Sequence, residues 1–155
     1  MYDAPPDSRP TNLFRPACCF AVIRVKERGI RMSLLVLQAY LKLLYFQLYL
    51  VRGDFSALYE GVRKSEVNNV VPIPDAVERI CAAVDMACIW YWKRVLCLQR
   101  SAATACLLKR YGVPAQMVIG TQQTPFIAHA WVEVNGRVVN DKAYMPEIYA
   151  VLDRC

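Results

Sequence analysis

One histidine, His129, serves the whole chain of 155 residues, and no two cysteines stand in a CxxC pair. That scarcity excludes the common zinc sites, which draw four ligands from Cys and His. No metal is expected. No cofactor is expected either, and the glycine-rich loop that cradles nucleotide phosphates is missing. Acidic residues are thin: 13 Asp and Glu against 19 Lys and Arg leave a net charge of +6. Such a balance favours acidic peptides or an anionic membrane surface. The cations are scattered and match no recognition module, so a nucleic-acid partner is not expected. The chain opens MYDAPPDSRP, without the basic start and apolar run of a secretory signal. With an odd count of seven cysteines, this predicts reduced thiols and a cytoplasmic protein rather than a disulfide framework. Most of those cysteines should pack as small hydrophobes.

Apolar residues make up 56% of the chain and charged residues 21%, enough for a single core at this length. Residues 1–16 hold four prolines and predict an extended, mobile arm. A short apolar run, Cys18–Val25, follows as a strand or a helix lead-in. Residues 32–51 are the oiliest stretch, with 16 of 20 apolar and Ser33, Gln38, Lys42 and Gln47 interrupting. Its Leu, Val and Phe would contribute about −3 to −7 kcal/mol to bilayer insertion, and a central Lys42 would cost about 2.5–3.5 kcal/mol. The sum is near zero. A core or partner-facing helix, an interfacial helix with peripheral membrane contact, and a span all stay open.

Asp54 is placed to cap a short helix over about 55–64, and Asn68, Asn69, Pro72 and Pro74 mark a loop. Val77, Ile80, Cys81, Val84 and Cys88 recur at three and four, predicting a helix from Asp75 to about Trp92. The next helix starts near Cys97 and stops at Lys109-Arg110-Tyr111-Gly112, with Pro114 beyond. The period then changes to two, over Ala115–Gly120, Phe126–Val134 and Arg137–Asp141, with Asn135-Gly136 as a hairpin turn. Helices first and antiparallel strands afterwards make an α+β protein. The expected division is an arm (1–16), an N-terminal helical region (17–74) and a core (75–155).

Cys97 opens a helix, where the positive end of the helix dipole lowers a thiol's pKa, and a neighbouring imidazolium would lower it further. Only His129 is available for that part. A third member follows from the hairpin. With a two-residue turn, 134 faces 137 and Asn140 is the diagonal neighbour of His129. With Val134-Asn135-Gly136 as a three-residue loop, 133 faces 137 and His129 lies opposite Asp141. The second register also pairs Glu133 with Arg137, and on that ground it is preferred. Asp141 then orients the imidazole and Asn140 is its rival.

CLQRS (97–101), LLKRYGVPAQMVIG (107–120) and FIAHAWVEVNGRVVND (126–141) resemble the B2-type leader peptidases of lasso peptide biosynthesis, transglutaminase-like and papain-like cysteine proteinases. The resemblance implies Cys97 as nucleophile, His129 as base and Asp141 as orienter. It implies removal of the leader from a ribosomally made precursor peptide, through an acyl-enzyme. Acyl transfer or deamidation by the same triad, or a non-catalytic peptide-binding subunit, are the alternatives. Where papain-like enzymes carry an upstream oxyanion glutamine, this chain has Trp90-Tyr91-Trp92-Lys93; that aromatic cluster reads first as core, then as substrate platform. The N-terminal half resembles the stand-alone form, which implies a separate B1-type recognition protein. Residues 32–51 are a candidate dock for that protein, for the lasso cyclase or for a membrane.

Overall fold

A computed structural model of the chain describes residues 29–155 apart from 71, 73 and 74. The proline-rich arm and the Cys18–Val25 run lie outside the described residues. The first helix, α1 (Gly29–Arg52), contains the whole oily stretch. Leu35, Ala39, Leu43 and Phe46 recur at four, four and three, and this stripe is at most 4% exposed. Burial of each large side chain stabilises the fold by about 1.5–3 kcal/mol. By length and composition α1 could cross a membrane. With one stripe built into the protein core, its outer stripe (Leu34, Leu37, Leu41, Leu48) is what remains for a partner or a membrane surface.

Local chemistry ends and starts the helices. Gly53, at φ +70°, turns the chain out of α1 while its N–H and that of Asp54 bond back to Leu50 and Tyr49. Asp54 Oδ1 then accepts from Ala57 N at 2.9 Å, capping α2 (Phe55–Arg63). The third helix, α3 (Ala76–Ile89), stops short of Trp92; Trp90 is its C-cap. α4 (Cys97–Arg110) runs as the sequence predicts. It closes at Gly112, φ +80°, where a Cβ would meet Val70 O at 2.2 Å.

Four strands form one antiparallel sheet in the order β3-β2-β1-β4. They are β1 (Ala115–Gln122), β2 (Ile127–Val134), β3 (Arg137–Val138) and β4 (Ala150–Arg154). A one-turn helix, α5 (Met145–Ile148), leads into β4; neither element was foreseen. One face of the sheet, with Ala115, Met117 and Val132, packs on the helices in a core that begins at Leu35. The other face buries Val118 and Trp131 under Met145 and Tyr149.

The hairpin register corrects the expectation. Val134 pairs with Arg137 and Glu133 with Val138, so the turn has two residues, not three. Asn135 and Gly136 take φ of +51° and +75°, the left-handed pair that matches the twist of the strands it joins. Glu133 therefore does not pair with Arg137. It is buried, accepts from Trp131 Nε1 at 2.9 Å and lies 3.5 Å from Arg154 Nε on β4.

Candidate active site

Cys97 is the first residue of α4 and is partly exposed. Its N-cap is Leu96, in extended conformation and without a side-chain hydrogen bond to the helix. Leucine is among the poorest N-caps, so the first-turn N–H groups are left uncapped at the positive end of the dipole. Gln99, two residues on, is fully buried; its Nε2 donates to Leu43 O at 2.8 Å and ties this turn to α1. Its Oε1 has no partner among the described residues.

His129 lies near the start of β2, opposite Gly120. Its Nε2 is 2.9 Å from Asp141 Oδ2, and both side chains are 22% exposed. Tyr149 and Trp131 flank the ring, with centroids at 5.3 and 6.4 Å. Gly120 makes room for both: a Cβ there would lie within 2.9 Å of the Trp131 ring and of Tyr149 Cβ.

Asp141 reaches His129 by a route other than the predicted one. In a regular two-residue hairpin, 141 would face 130, and its side chain would fall on the sheet face opposite His129. The ladder stops before that. Val139 N still donates to Val132 O at 2.9 Å, but Val132 N donates to the Asn140 side chain, Oδ1, at 2.7 Å. A side-chain carbonyl thus takes the place of the next backbone acceptor, and the chain turns away. Asn140, the rival orienter, is 7% exposed, bonds the backbone instead of the imidazole, and sets the path that delivers Asp141.

Ser101 joins the three parts. Its Oγ donates to Ala130 O at 2.9 Å and accepts from Asn140 Nδ2 at 3.0 Å. It stands just over one helical turn, about 6 Å along the axis, from Cys97. One hydroxyl thereby ties the helix that opens on Cys97 to the neighbours of both His129 and Asp141. Cys97 Sγ and His129 are not hydrogen-bonded to each other among the described residues. Ser101 was part of the motif read from sequence, but its bonding was not foreseen.

On the helix side the cation next to the site is neutralised by an ion pair. Arg100 donates to Asp85 Oδ1 from Nη2 at 2.5 Å and from Nε at 3.1 Å. Burial works to lower the guanidinium's pKa, but Asp85, with smaller help from Cys88 and Asp141, raises it overall. The other described cysteines are poor nucleophiles. Burial pushes the Cys81 thiol up to about 12 and raises Cys88, Cys106 and Cys155. No three His, Cys, Asp or Glu side chains converge on a metal-sized site among the described residues.

A helical layer ending on a sheet, with a cysteine opening a helix, a histidine on a strand and its aspartate just past the next strand, defines a transglutaminase-like α+β protein. The chain belongs to the Transglutaminase-like superfamily, matching it over residues 40–154. Microcin J25-processing protein McjB of Escherichia coli is 39% identical over 56 residues, 36% of this chain. The match spans 27% of that relative's length. No solved structure matches.

Proposed function

We propose that the protein is a cysteine peptidase that removes the leader from a ribosomally made lasso precursor peptide. The observation that carries this reading is the 2.9 Å contact between His129 Nε2 and Asp141 Oδ2, beside a helix that opens on Cys97. The relative's role in processing a microcin supports it. Asp141 occupies Nε2, so Nδ1 is the nitrogen left to exchange a proton with the thiol. Cys97 attacks the scissile carbonyl as thiolate, His129 protonates the leaving amine, and water releases the acyl group. The uncapped N–H of Cys97 serves as one oxyanion donor. A separate recognition protein presents the leader, and the lasso cyclase takes the product.

The acyl-enzyme is common to hydrolysis and to acyl transfer, and membership of the Transglutaminase-like superfamily favours keeping the second reading. The experiment is mass analysis of a precursor peptide incubated with this protein and its recognition partner. Free leader and core peptides are expected, and Cys97→Ala should yield neither. A product carrying an added amine would replace hydrolysis by transfer. Cleavage that survives Cys97→Ala would end both readings.

A further inference from the structure

The connector from α3 to α4, residues 90–96, brings two indoles to the surface. Trp90 and Trp92 are 73% and 70% exposed, while Tyr91 between them is buried. Tyr91 anchors this segment, its ring tilted against Tyr40 of α1 at 5.4 Å, and Val95 packs partly buried on the same core. The cluster that the sequence suggests as core is therefore core at one position of three. Ile89 and Leu96 are exposed too, and Leu96 immediately precedes Cys97. On the histidine side, Phe126 is 76% exposed and Ile127 also lies open, two residues before His129.

Single exposed apolar residues are ordinary, but four large ones on eight residues mark a contact surface. Indoles are also enriched where binding energy concentrates. The connector carries its own charge. Lys93 Nζ lies 5.5 Å from the Trp92 ring centroid, and neither Lys93 nor Arg94 has an ion pair among the described residues. Both apolar groups are contiguous in the chain with residues of the candidate active site. That continuity favours a peptide lying across the site over a bilayer, which would need no such coincidence.

We propose that Ile89, Trp90, Trp92 and Leu96, with Phe126 and Ile127, form the substrate-binding surface for a peptide segment of large apolar residues interspersed with carboxylates. Lys93 and Arg94 read the carboxylates, and the rings hold the apolar side chains. Calling this segment the substrate rests on the peptidase reading above. The surface itself can be tested without catalysis.

The chain has three tryptophans, and the third, Trp131, is fully buried. Emission and acrylamide quenching therefore report on Trp90 and Trp92 against a shielded background. In Cys97→Ala protein, a short capped peptide alternating leucine with glutamate should shift emission to the blue and cut quenching. Its lysine–leucine counterpart should do neither. Replacing Trp90 and Trp92 by alanine together should weaken binding of the first peptide at least tenfold by calorimetry, with far-UV dichroism unchanged. In the wild-type background, the same pair should raise KM for precursor peptide about tenfold and leave kcat within about threefold. No spectral response to the glutamate peptide, equal binding of the lysine peptide, or a response only to anionic phosphatidylserine vesicles would overturn the proposal. So would a double variant that binds within twofold of its parent. If peptide binds as described while wild-type protein cleaves nothing, the peptidase reading fails and the surface stands.

Discussion

Replacing Asn140 by alanine strips two hydrogen bonds from a buried network, whereas replacing Asp141 strips one from a partly open pair. In the first variant Val132 N–H loses its 2.7 Å acceptor inside the sheet, and Ser101 Oγ loses a donor at 3.0 Å while keeping Ala130 O. An orphaned buried donor costs about 1–3 kcal/mol and a lost neutral bond about 0.5–1.5 kcal/mol, so Asn140→Ala should destabilise by about 2–4 kcal/mol. At about 2–4 °C per kcal/mol for a chain of this size, Tm should fall by roughly 5–15 °C. Asp141→Ala should change stability by no more than about 1 kcal/mol, since solvent screens a pair that is 22% exposed on both sides. Its effect lies in turnover. A hydrogen bond to the charged imidazolium is worth about 1.5–3 kcal/mol, which is about 10–150-fold in kcat. Urea or thermal melts followed by dichroism measure the first effect. The second is measured by leader-cleavage kinetics, together with the nitrogen spectrum of the single histidine. In the parent, neutral imidazole should carry its proton on Nε2; in Asp141→Ala both tautomers should appear. If Asn140→Ala melts within about 2 °C of the parent, or Asp141→Ala keeps both tautomer and kcat, the division of labour drawn here is wrong.

Four further outcomes follow from the same geometry. In a brief iodoacetamide pulse at pH 7, Cys97 should take the label before Cys81, Cys88, Cys106 and Cys155, whose thiols burial holds protonated; peptide mapping checks the order. Folding raises those thiol pKa values, so they leave stability untouched below about pH 8.5 and erode it as pH climbs. For Cys81 that loss extends toward about 12, and an alkaline melt series should show the decline. Gly120→Ala forces a Cβ to within 2.9 Å of Trp131 and Tyr149, an overpacking expected to cost about 1–3 kcal/mol and to lower kcat by displacing the rings beside His129. Leu96→Asp should do the reverse to stability. It supplies the missing N-cap, worth about 1 kcal/mol, but sets a carboxylate against the developing thiolate, so activity should fall as Tm rises.

The legible parts of the fold are those settled by nearby residues. Asp54, Gly53 and Gly112 act within one turn of themselves, and the helix boundaries they imply match the structure within a residue or two. The unforeseen parts depend on distant pairing. β4 is mostly exposed and carries little alternation, so only its ladder with β1 makes it a strand. Likewise nothing within Ile89–Leu96 says that two indoles face outward. That follows from Tyr91 finding Tyr40, some fifty residues earlier, and leaving its neighbours without a place in the core.

The hairpin shows how a right residue can follow from a wrong register. The three-residue turn rests on the pairing of Glu133 with Arg137, a contact worth at most about 1 kcal/mol on a sheet surface. Against it stood the left-handed preference of Asn-Gly, which the structure obeys, with Glu133 buried and engaged by Trp131 and Arg154 instead. A backbone preference acting at the turn itself outweighs a solvent-screened pair one step away. Yet the two-residue register does not make Asn140 the orienter either, because regular pairing ends at Val139. Asparagine can imitate a backbone carbonyl, so it can end a ladder by occupying the place of the next strand residue. Alternation thereafter no longer dictates which face the following side chain takes, and Asp141 crosses to His129. The same Asn140 side chain bonds Ser101 on the helix that starts at Cys97. The ladder's end and the alignment of helix with sheet are therefore a single event. A substitution that restored regular pairing through residue 141 would return Asp141 to the face of Ala130 and separate it from the imidazole.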